Sequence, residues 1–478
     1  MPDGPGAPSV GRMPATSVLW FRRDLRLGDH PGLLAAADAG TGGVLPLFVV
    51  DPALWEPAGP ARRAYLLRSL AALDASLGGR LHLLHGDPAV VVPRIAAGLR
   101  AATVHVSADF GPYGSARDAA VETTLARDGR ALVRTGSPYA VSPGRVRTSG
   151  GTPYRVFTPF ARAWVEHGWR RPAASAEAVA AGRVRWLDLQ ADGEPLPPAP
   201  TSHELGGLVL PPAGEQAARE RWARFRDDGG AASYADRRDR PDLAGTSGLS
   251  TALRWGETHP RTLLADLGAG PGPDALRREL AWREFYADVL HHRPESARHA
   301  LRADPAEMPC DSGPDADARF DAWCSGRTGY PLVDAGMRQL QAEAWLHNRV
   351  RMVVASFLVK DLHLDWTRGA RWFLRRLRDG DLASNQHGWQ WVAGTGTDAA
   401  PYHRVFNPVR QGLRYDPEGA YVRRWIPELA GLPGPLAHEP WRAPGGPPHG
   451  YPARIVDHDA ERRVALAQYA RTTASGRS

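Results

Sequence analysis

The stretch SVLWFRRDLRLGDH, from Ser17 to His30, opens as a short apolar run and ends in dense charge. Ser17–Phe21 reads as a strand, because a brief apolar run bounded by charge suits a sheet covered on both faces. Four further runs have the same character: Val44–Asp51, Leu81–Gly86, Thr103–Asp109 and Ala131–Gly136. Between them Pro31–Asp38, Ala61–Leu77, Ala89–Ala101 and Ser115–Arg127 read as helices. Strands alternating with helices over short connections predict an α/β domain built on a doubly wound, parallel, five-stranded sheet. This part carries neither GxGxxG nor GxxxxGK[ST], so the dinucleotide and P-loop readings lose their main support.

Working outward, residues 1–15 form a Pro/Gly-rich stretch that reads as a disordered tail, and 16–140 is the α/β domain. Residues 141–215 read as an interdomain linker. Its Pro-rich part, from about Arg185 to Gln216, is expected to run over a surface. From 216 to 470 the periodicity is helical and predicts an all-α second domain, with 471–478 a closing tail. Its longest helical passage, Val333 to Leu364, is interrupted by no proline, and Leu432–Pro452 reads as a surface loop. Eleven of the sixteen tryptophans follow Gln216, so aromatic chemistry is expected there.

Composition narrows the class. Of 478 residues, 43% are hydrophobic and 23% charged, the proportions of a chain with a real core. No run approaches the ~18 consecutive apolar residues of a membrane span. The first residues lack a basic segment followed by an apolar one, so no secretory signal is read. Two cysteines, Cys310 and Cys324, exclude a disulfide framework and point to a reducing cytoplasm. The net charge of +7 is carried almost wholly by arginine, with Lys360 the only lysine. Arginine suits phosphate recognition, and the same bias also follows from a genome rich in G and C.

Five clusters carry the chemistry. In Trp20–His30, arginines after a strand are most simply a solvated edge or an ion-pair network. In Gly245–Ser250, before a helical segment, hydroxyls and free N–H groups make an anion site, although a plain N-cap has the same pattern. Tyr234 and Arg238 lie just upstream. In Arg278–Tyr286, a helix sets Glu279, Trp282, Arg283 and Tyr286 at i, i+3, i+4 and i+7 on one face. That face makes a poor core and a good site for a flat polar ring, with an interfacial helix as the alternative. The others are Trp345–Met352 and Asp379–Trp391. Asp379 and Asp381 suggest a metal, but no further ligand stands at a known spacing, so no metal is expected. No Ser-His-Asp or Cys-His arrangement is identifiable by role.

At these clusters the sequence resembles the photolyase/cryptochrome family, from about Ser17 to the C-terminal region. WFRRDLRLGD resembles the start of the family's antenna domain. GYPLVDAGMRQL (329–340), His347-Asn348-Arg349, Asp379-Gly380-Asp381 and GTGTDA (394–399) resemble its flavin domain, in order. The resemblance implies a reduced, U-shaped FAD in the helical domain. Tyr234, Thr246, Ser247, Gly248, Leu249, Ser250 and Arg278 would serve its phosphates and ribose, Asp379, Gly380 and Asp381 the flavin, and Asn385 its N5. The family often has a basic residue where this chain has Gly248, so backbone N–H groups are expected to carry more of the phosphate binding.

Within the family the resemblance is to the class I branch that repairs cyclobutane pyrimidine dimers. It implies a carbon–carbon lyase that opens a flipped-out dimer by electron transfer from photoexcited reduced FAD. Glu279, Trp282, Asn348, Arg349 and Trp391 match the positions that hold the dimer, with Tyr286 on the same face. Met352 stands where an enzyme for (6-4) lesions has histidine, and Asn385 where plant cryptochromes have aspartate. Arg238, Arg283, Arg349 and Gln411 would engage the DNA backbone. Glu279, Asn385, Trp282 and Trp391 are the implied catalytic set. The alternative is a blue-light sensor of cryptochrome type without repair.

Two departures are legible. Trp389 and Trp366 match the inner and middle members of an electron-transfer chain of three tryptophans, but Arg283 to Ala322 holds no tryptophan for the outer one. At the antenna site, Ser107-Ala108 replaces the Asn-Glu of folate-type enzymes. Gly111–Gly114 and the Ala61–Leu77 helix resemble the 8-hydroxy-5-deazaflavin type instead. The expected partner is DNA containing UV-induced pyrimidine dimers. The expected protein is a cytoplasmic monomer with no membrane and no obligate protein partner.

Overall fold

A computed structural model of the chain describes residues 15–188, 195–302, 308–398 and 404–475. The expected tail therefore lies, except for residue 15, outside the described residues, as does Ala399 of the last motif.

Five parallel strands, β1 (Thr16–Phe21), β2 (Gly43–Val50), β3 (His82–His85), β4 (Thr103–Val106) and β5 (Ala131–Arg134), form one sheet in the order β3-β2-β1-β4-β5. Helices α1 (Pro31–Ala39), α2 (Pro60–Ser76), α3 (Pro88–Gly98) and α4 (Pro112–Arg127) cross between them, each with proline in its first turn. Both faces are buried. Val18, Trp20, Leu45 and Leu47 pack on one side, and Leu19, Phe21, Val44 and Phe48 on the other. β4 and β5 stop short of the expected ends. Beyond Val106 one backbone bond still joins the two segments, from Ala108 N–H to Gly136 O, but the Ser107 carbonyl accepts Arg22 and its hydroxyl donates to Asp24.

The stretch 141–215 holds α5 (Phe157–His167), whose Phe157, Phe160 and Trp164 are buried against the helical part. Glu284 explains this docking, because its carboxylate accepts the N–H groups of Ala140, Val141 and the Trp164 indole.

The helical part follows as α6 (Glu215–Asp227), α7 (Ser250–Trp255), α8 (Pro271–His292), α9 (Pro331–Glu343), α10 (Asn348–Lys360), α11 (Trp366–Arg376), α12 (Leu382–Ala393) and α13 (Pro408–Tyr415). The passage 333–364, expected to be continuous, is two helices. Ala344 takes a left-handed conformation (φ 50°), and His347 starts α10 by accepting the Arg349 N–H. Neither glycine nor proline marks this break in the sequence. The loop Leu432–Pro452 is not wholly at the surface. His438 and Tyr451 are buried, and the Tyr451 hydroxyl donates to Asp334, which also accepts from Thr328 and Gly329. The last helix runs on to Ser475. No helix among the described residues is long and apolar enough to cross a membrane.

Candidate active site

Helices α7, α8, α10 and α12, with the loop before α7, enclose a cavity of about 520 Å³, within the usual range for small-molecule sites. Most of the expected residues meet in it. Thr246, Ser247, Gly248, Leu249 and Ser250 line one end, with Tyr234 and Arg238 beside them. Glu279, Trp282, Arg283 and Tyr286 line it from α8, as their helical spacing requires. Asn348, Arg349 and Met352 come from α10, and Asp379, Gly380, Asp381, Asn385, Trp389 and Trp391 from α12 and the turn before it.

Three candidates do not reach the cavity wall. Arg278 is exposed, with its guanidinium over the Phe157 ring (5.6 Å). One residue before Glu279 on a helix points about 100° off that face. Gln411 lies on α13, and Trp366 is buried at the start of α11. Arg283 lines the cavity but is turned inward. It donates to the carbonyls of Pro138 (3.0 Å) and Leu253 (3.1 Å) and lies over Tyr139, so these groups, not a DNA backbone, hold its guanidinium.

Charge is arranged tightly around Asp381. Its Oδ1 caps α12 by accepting the Ser384 N–H, and its Oδ2 accepts Arg23, which arrives from the end of β1. Burial alone would raise this carboxyl, but Arg23, Arg254 and Arg283 hold it well below the usual range. Asp379 pairs with Arg351 at 2.8 Å. Glu279 receives Arg238 at 2.5 Å, and burial pushes its carboxyl up while that arginine pulls it down. The Asn385 amide nitrogen donates to Ala370 O and Gln386 Oε1, which fixes the carboxamide. Trp282 is in contact with Tyr286 (5.2 Å), which stacks on His387.

Sequence reading missed Arg254 and Arg221. Arg254 stands four residues after Ser250 on the same helix, a spacing that could have revealed it. It donates to Gly380 O, and burial and the nearby Arg23 push it down to about 9. Arg221, on α6, places Nη1 3.1 Å from where a Cβ at Gly248 would lie. A guanidinium from a different helix thus occupies the space that a side chain on the loop would fill. Nothing in the local sequence announces that contact. No group of three or more His, Cys, Asp or Glu among the described residues could hold a metal ion.

A doubly wound sheet joined to helices around an aromatic, arginine-rich cavity defines a two-domain protein built for a nucleotide-like cofactor. Residues 17–179 match the model of DNA photolyase, and 276–471 that of the FAD binding domain of DNA photolyase. The chain is 38% identical to deoxyribodipyrimidine photo-lyase of Escherichia coli, over 95% of this chain and 98% of that protein. The structure of a class III photolyase from Agrobacterium tumefaciens superposes with a TM-score of 0.87 at 36% identity, covering 98% of this chain and all of that one. An archaeal photolyase from Sulfolobus tokodaii, solved with two FAD molecules, gives 0.80 at 27% identity over 95% of this chain and all of its own. The chain belongs to the DNA photolyase family.

The residues fit FAD. Two buried polar atoms of cavity-lining side chains, Arg254 Nη1 and Asp379 Oδ1, have no partner among the described residues. One is a donor and the other an acceptor, the complement of a cofactor that carries both phosphate oxygens and ring N–H groups.

Proposed function

We propose that this protein is a photolyase that repairs cyclobutane pyrimidine dimers in DNA under light. The observation that carries the reading is the convergence of Glu279, Trp282, Asn348, Met352 and Trp391 on one cavity that Asp379, Asp381 and Asn385 also line. Reduced FAD, when bound there, supplies light-driven transfer of one electron to the dimer and its return after the ring opens, with no net oxidation.

The protein's part is to bring the dimer in and hold it. A dimer inside a duplex cannot touch a buried cofactor, so it must be flipped out, at a cost of a few kcal/mol that is least for a badly stacked lesion. Trp282 and Trp391 receive it, and a base–aromatic stack contributes about 1–3 kcal/mol, enough to offset much of that cost. Glu279 hydrogen-bonds the pyrimidine edge and steadies the charge that develops on it. Asn348, Arg349 and Arg238 position the strand without reading its sequence. Arg283 serves as a tie between α8 and the α/β domain.

At the phosphate end, Thr246 to Ser250 hold the cofactor, with Arg221 behind Gly248, while Arg254 braces the Gly380 carbonyl at the other end. At the flavin end Asp379, Gly380, Asp381 and Asn385 hold the ring. Trp389 and Trp366 serve its reduction. A second chromophore of 8-hydroxy-5-deazaflavin type belongs outside the C-terminal ends of the central strands β1 and β4, the switch point at which such sheets bind ligands. The Tyr113 hydroxyl donates to Asp51 there. We read the protein as a cytoplasmic monomer that needs only damaged DNA as partner.

The test is direct. The reduced holoprotein and a dimer-containing oligonucleotide are illuminated with near-UV or blue light, and recovery of pyrimidine absorbance is followed against a dark control. Light-dependent recovery supports the reading. A photocycle without recovery would replace it with a light sensor.

A further inference from the structure

Trp282 is held on one face before any DNA arrives. Its ring lies parallel to that of Phe157, with centroids 3.6 Å apart and 8° between the planes. Phe157 is the first residue of α5, 2% exposed, and outside the cavity wall. Its N–H is one of the unsatisfied donors of a helix start, and the α5 N-cap residue Val156 has no side chain able to accept it. Asp398 accepts it instead, from 241 residues away, at 2.9 Å. Asp398 sits at φ 49°, a conformation a non-glycine residue takes at some energetic cost. Thr397 beside it donates its hydroxyl to the Arg155 carbonyl at 2.6 Å. The segment 394–398, which the reaction above leaves without a task, thus grips the start of α5 at two points.

We infer that Asp398 and Phe157 are positioning residues for lesion recognition: Asp398 fixes the start of α5, Phe157 backs one face of Trp282, and the other face is presented as a preset platform for the flipped pyrimidine dimer. This rests on the reading of Trp282 as the lesion-stacking residue. The physical case is preorganisation. A large ring free to change rotamer must be immobilised on binding, and that cost is subtracted from the stacking gain. A ring already stacked on a buried neighbour has little freedom left to lose. One face covered also means that only a base arriving from the cavity side can stack, which favours an extruded lesion over a base still paired in the helix.

The experiment compares affinities for dimer-containing and undamaged oligonucleotides of one sequence, using the FAD-loaded protein. Phe157→Leu keeps an apolar side chain in the core and removes the flat partner. Phe157→Tyr keeps the flat partner. Asp398→Ala removes the acceptor, Asp398→Asn retains one, and Asp398→Gly relieves the backbone while removing it. We expect Phe157→Leu, Asp398→Ala and Asp398→Gly to lower the ratio of lesion to undamaged affinity about five- to twentyfold. Phe157→Tyr and Asp398→Asn should stay within about twofold of the parent. Flavin absorbance and melting temperature, recorded for each variant, separate this from general damage. An unchanged ratio in Phe157→Leu and Asp398→Ala overturns the inference, and so does a loss that merely follows the melting temperature. Trp282→Ala is measured alongside. If it too leaves the ratio unchanged, the lesion-stacking reading itself has failed. If it alone lowers the ratio, only the role given to Phe157 and Asp398 falls.

Discussion

Arg23 and Asp381, 358 residues apart in the chain, meet at 2.6 Å where the sheet domain abuts the helical domain. The contact joins the end of β1 to the first turn of the helix that carries Asn385, Trp389 and Trp391. It is largely buried, and removing one member of a buried pair generally costs more than forming the pair gains.

Arg23→Ala is expected to destabilise the fold by roughly 2 kcal/mol at neutral pH, below the usual 3–5 kcal/mol because Arg254 and Arg283 remain near the carboxylate. Asp381, held low in the folded state, contributes stability above its unfolded pKa and loses it as the pH falls through the folded value. Without Arg23 the folded value rises, so acid release of FAD should begin at higher pH. Absorbance of released flavin across an acid titration measures it, and overlapping curves for parent and variant would count against the role.

Trp282→Ala should weaken binding to dimer-containing DNA by about 1–3 kcal/mol, the scale of one base–aromatic stack, and leave binding to undamaged DNA nearly unchanged. Equal losses on both DNAs, read by fluorescence anisotropy, would make it a non-specific contact.

Glu279→Ala should lower the repair yield per absorbed photon more than it lowers affinity, because its proposed work begins once charge reaches the dimer. The same change frees Arg238 from its 2.5 Å pair. Arg238→Ala is therefore the control that shows whether a binding change belongs to the carboxyl or to its partner. An unchanged quantum yield would remove Glu279 from the mechanism.

The parts of the site visible in the sequence are those that neighbours on one helix define. Glu279, Trp282, Arg283 and Tyr286 share a face because 3.6 residues make a turn, and that period can be read directly. The sheet was equally legible, since short runs rich in Val and Leu alternate with helical stretches over short connections. Arg221 and Phe157 were not, because each reaches its partner through packing between segments far apart in the chain. Arg278, one helical step from Glu279, lies outside the cavity wall. The break at Ala344 escaped because a left-handed alanine leaves no compositional mark, unlike a glycine or proline.

Trp389→Phe should abolish most photoreduction of the oxidised holoprotein by an external reductant, since Trp389 lines the cavity and is otherwise buried. Supplied with chemically reduced FAD, the same variant should still repair. Failure to repair in that state would show that activation and repair are not separable. Trp323 touches Trp389 (6.1 Å), and Phe320 bridges it toward the half-buried Trp372 (5.8 and 6.4 Å). Transient absorption of Trp323→Phe and Trp366→Phe should therefore show which branch carries the radical, given that no outer tryptophan precedes Trp323.

Acid should weaken the fold through His347 and His387, which burial pushes down to about 4. Each folded value lies below the unfolded one near 6.5, so the unfolded chain binds more protons between those limits. Stability then falls as the pH drops from about 6.5 to 4, by up to roughly 3 kcal/mol per histidine. Urea unfolding of His387→Asn across that range should show a shallower slope than the parent, and parallel slopes would exclude it as a source.

The Asp334 hub has a consequence for how the chain is made. Its carboxylate gathers Thr328 and Gly329 from its own neighbourhood, but its third partner, Tyr451, lies 117 residues further on. A ribosome delivers these groups in order, at about 5–20 residues per second. For many seconds the nascent bundle holds α9 with that buried acid incompletely satisfied. The hub closes only when the distant tyrosine emerges, which makes locking of the bundle a late event in synthesis, set by translation as well as by folding.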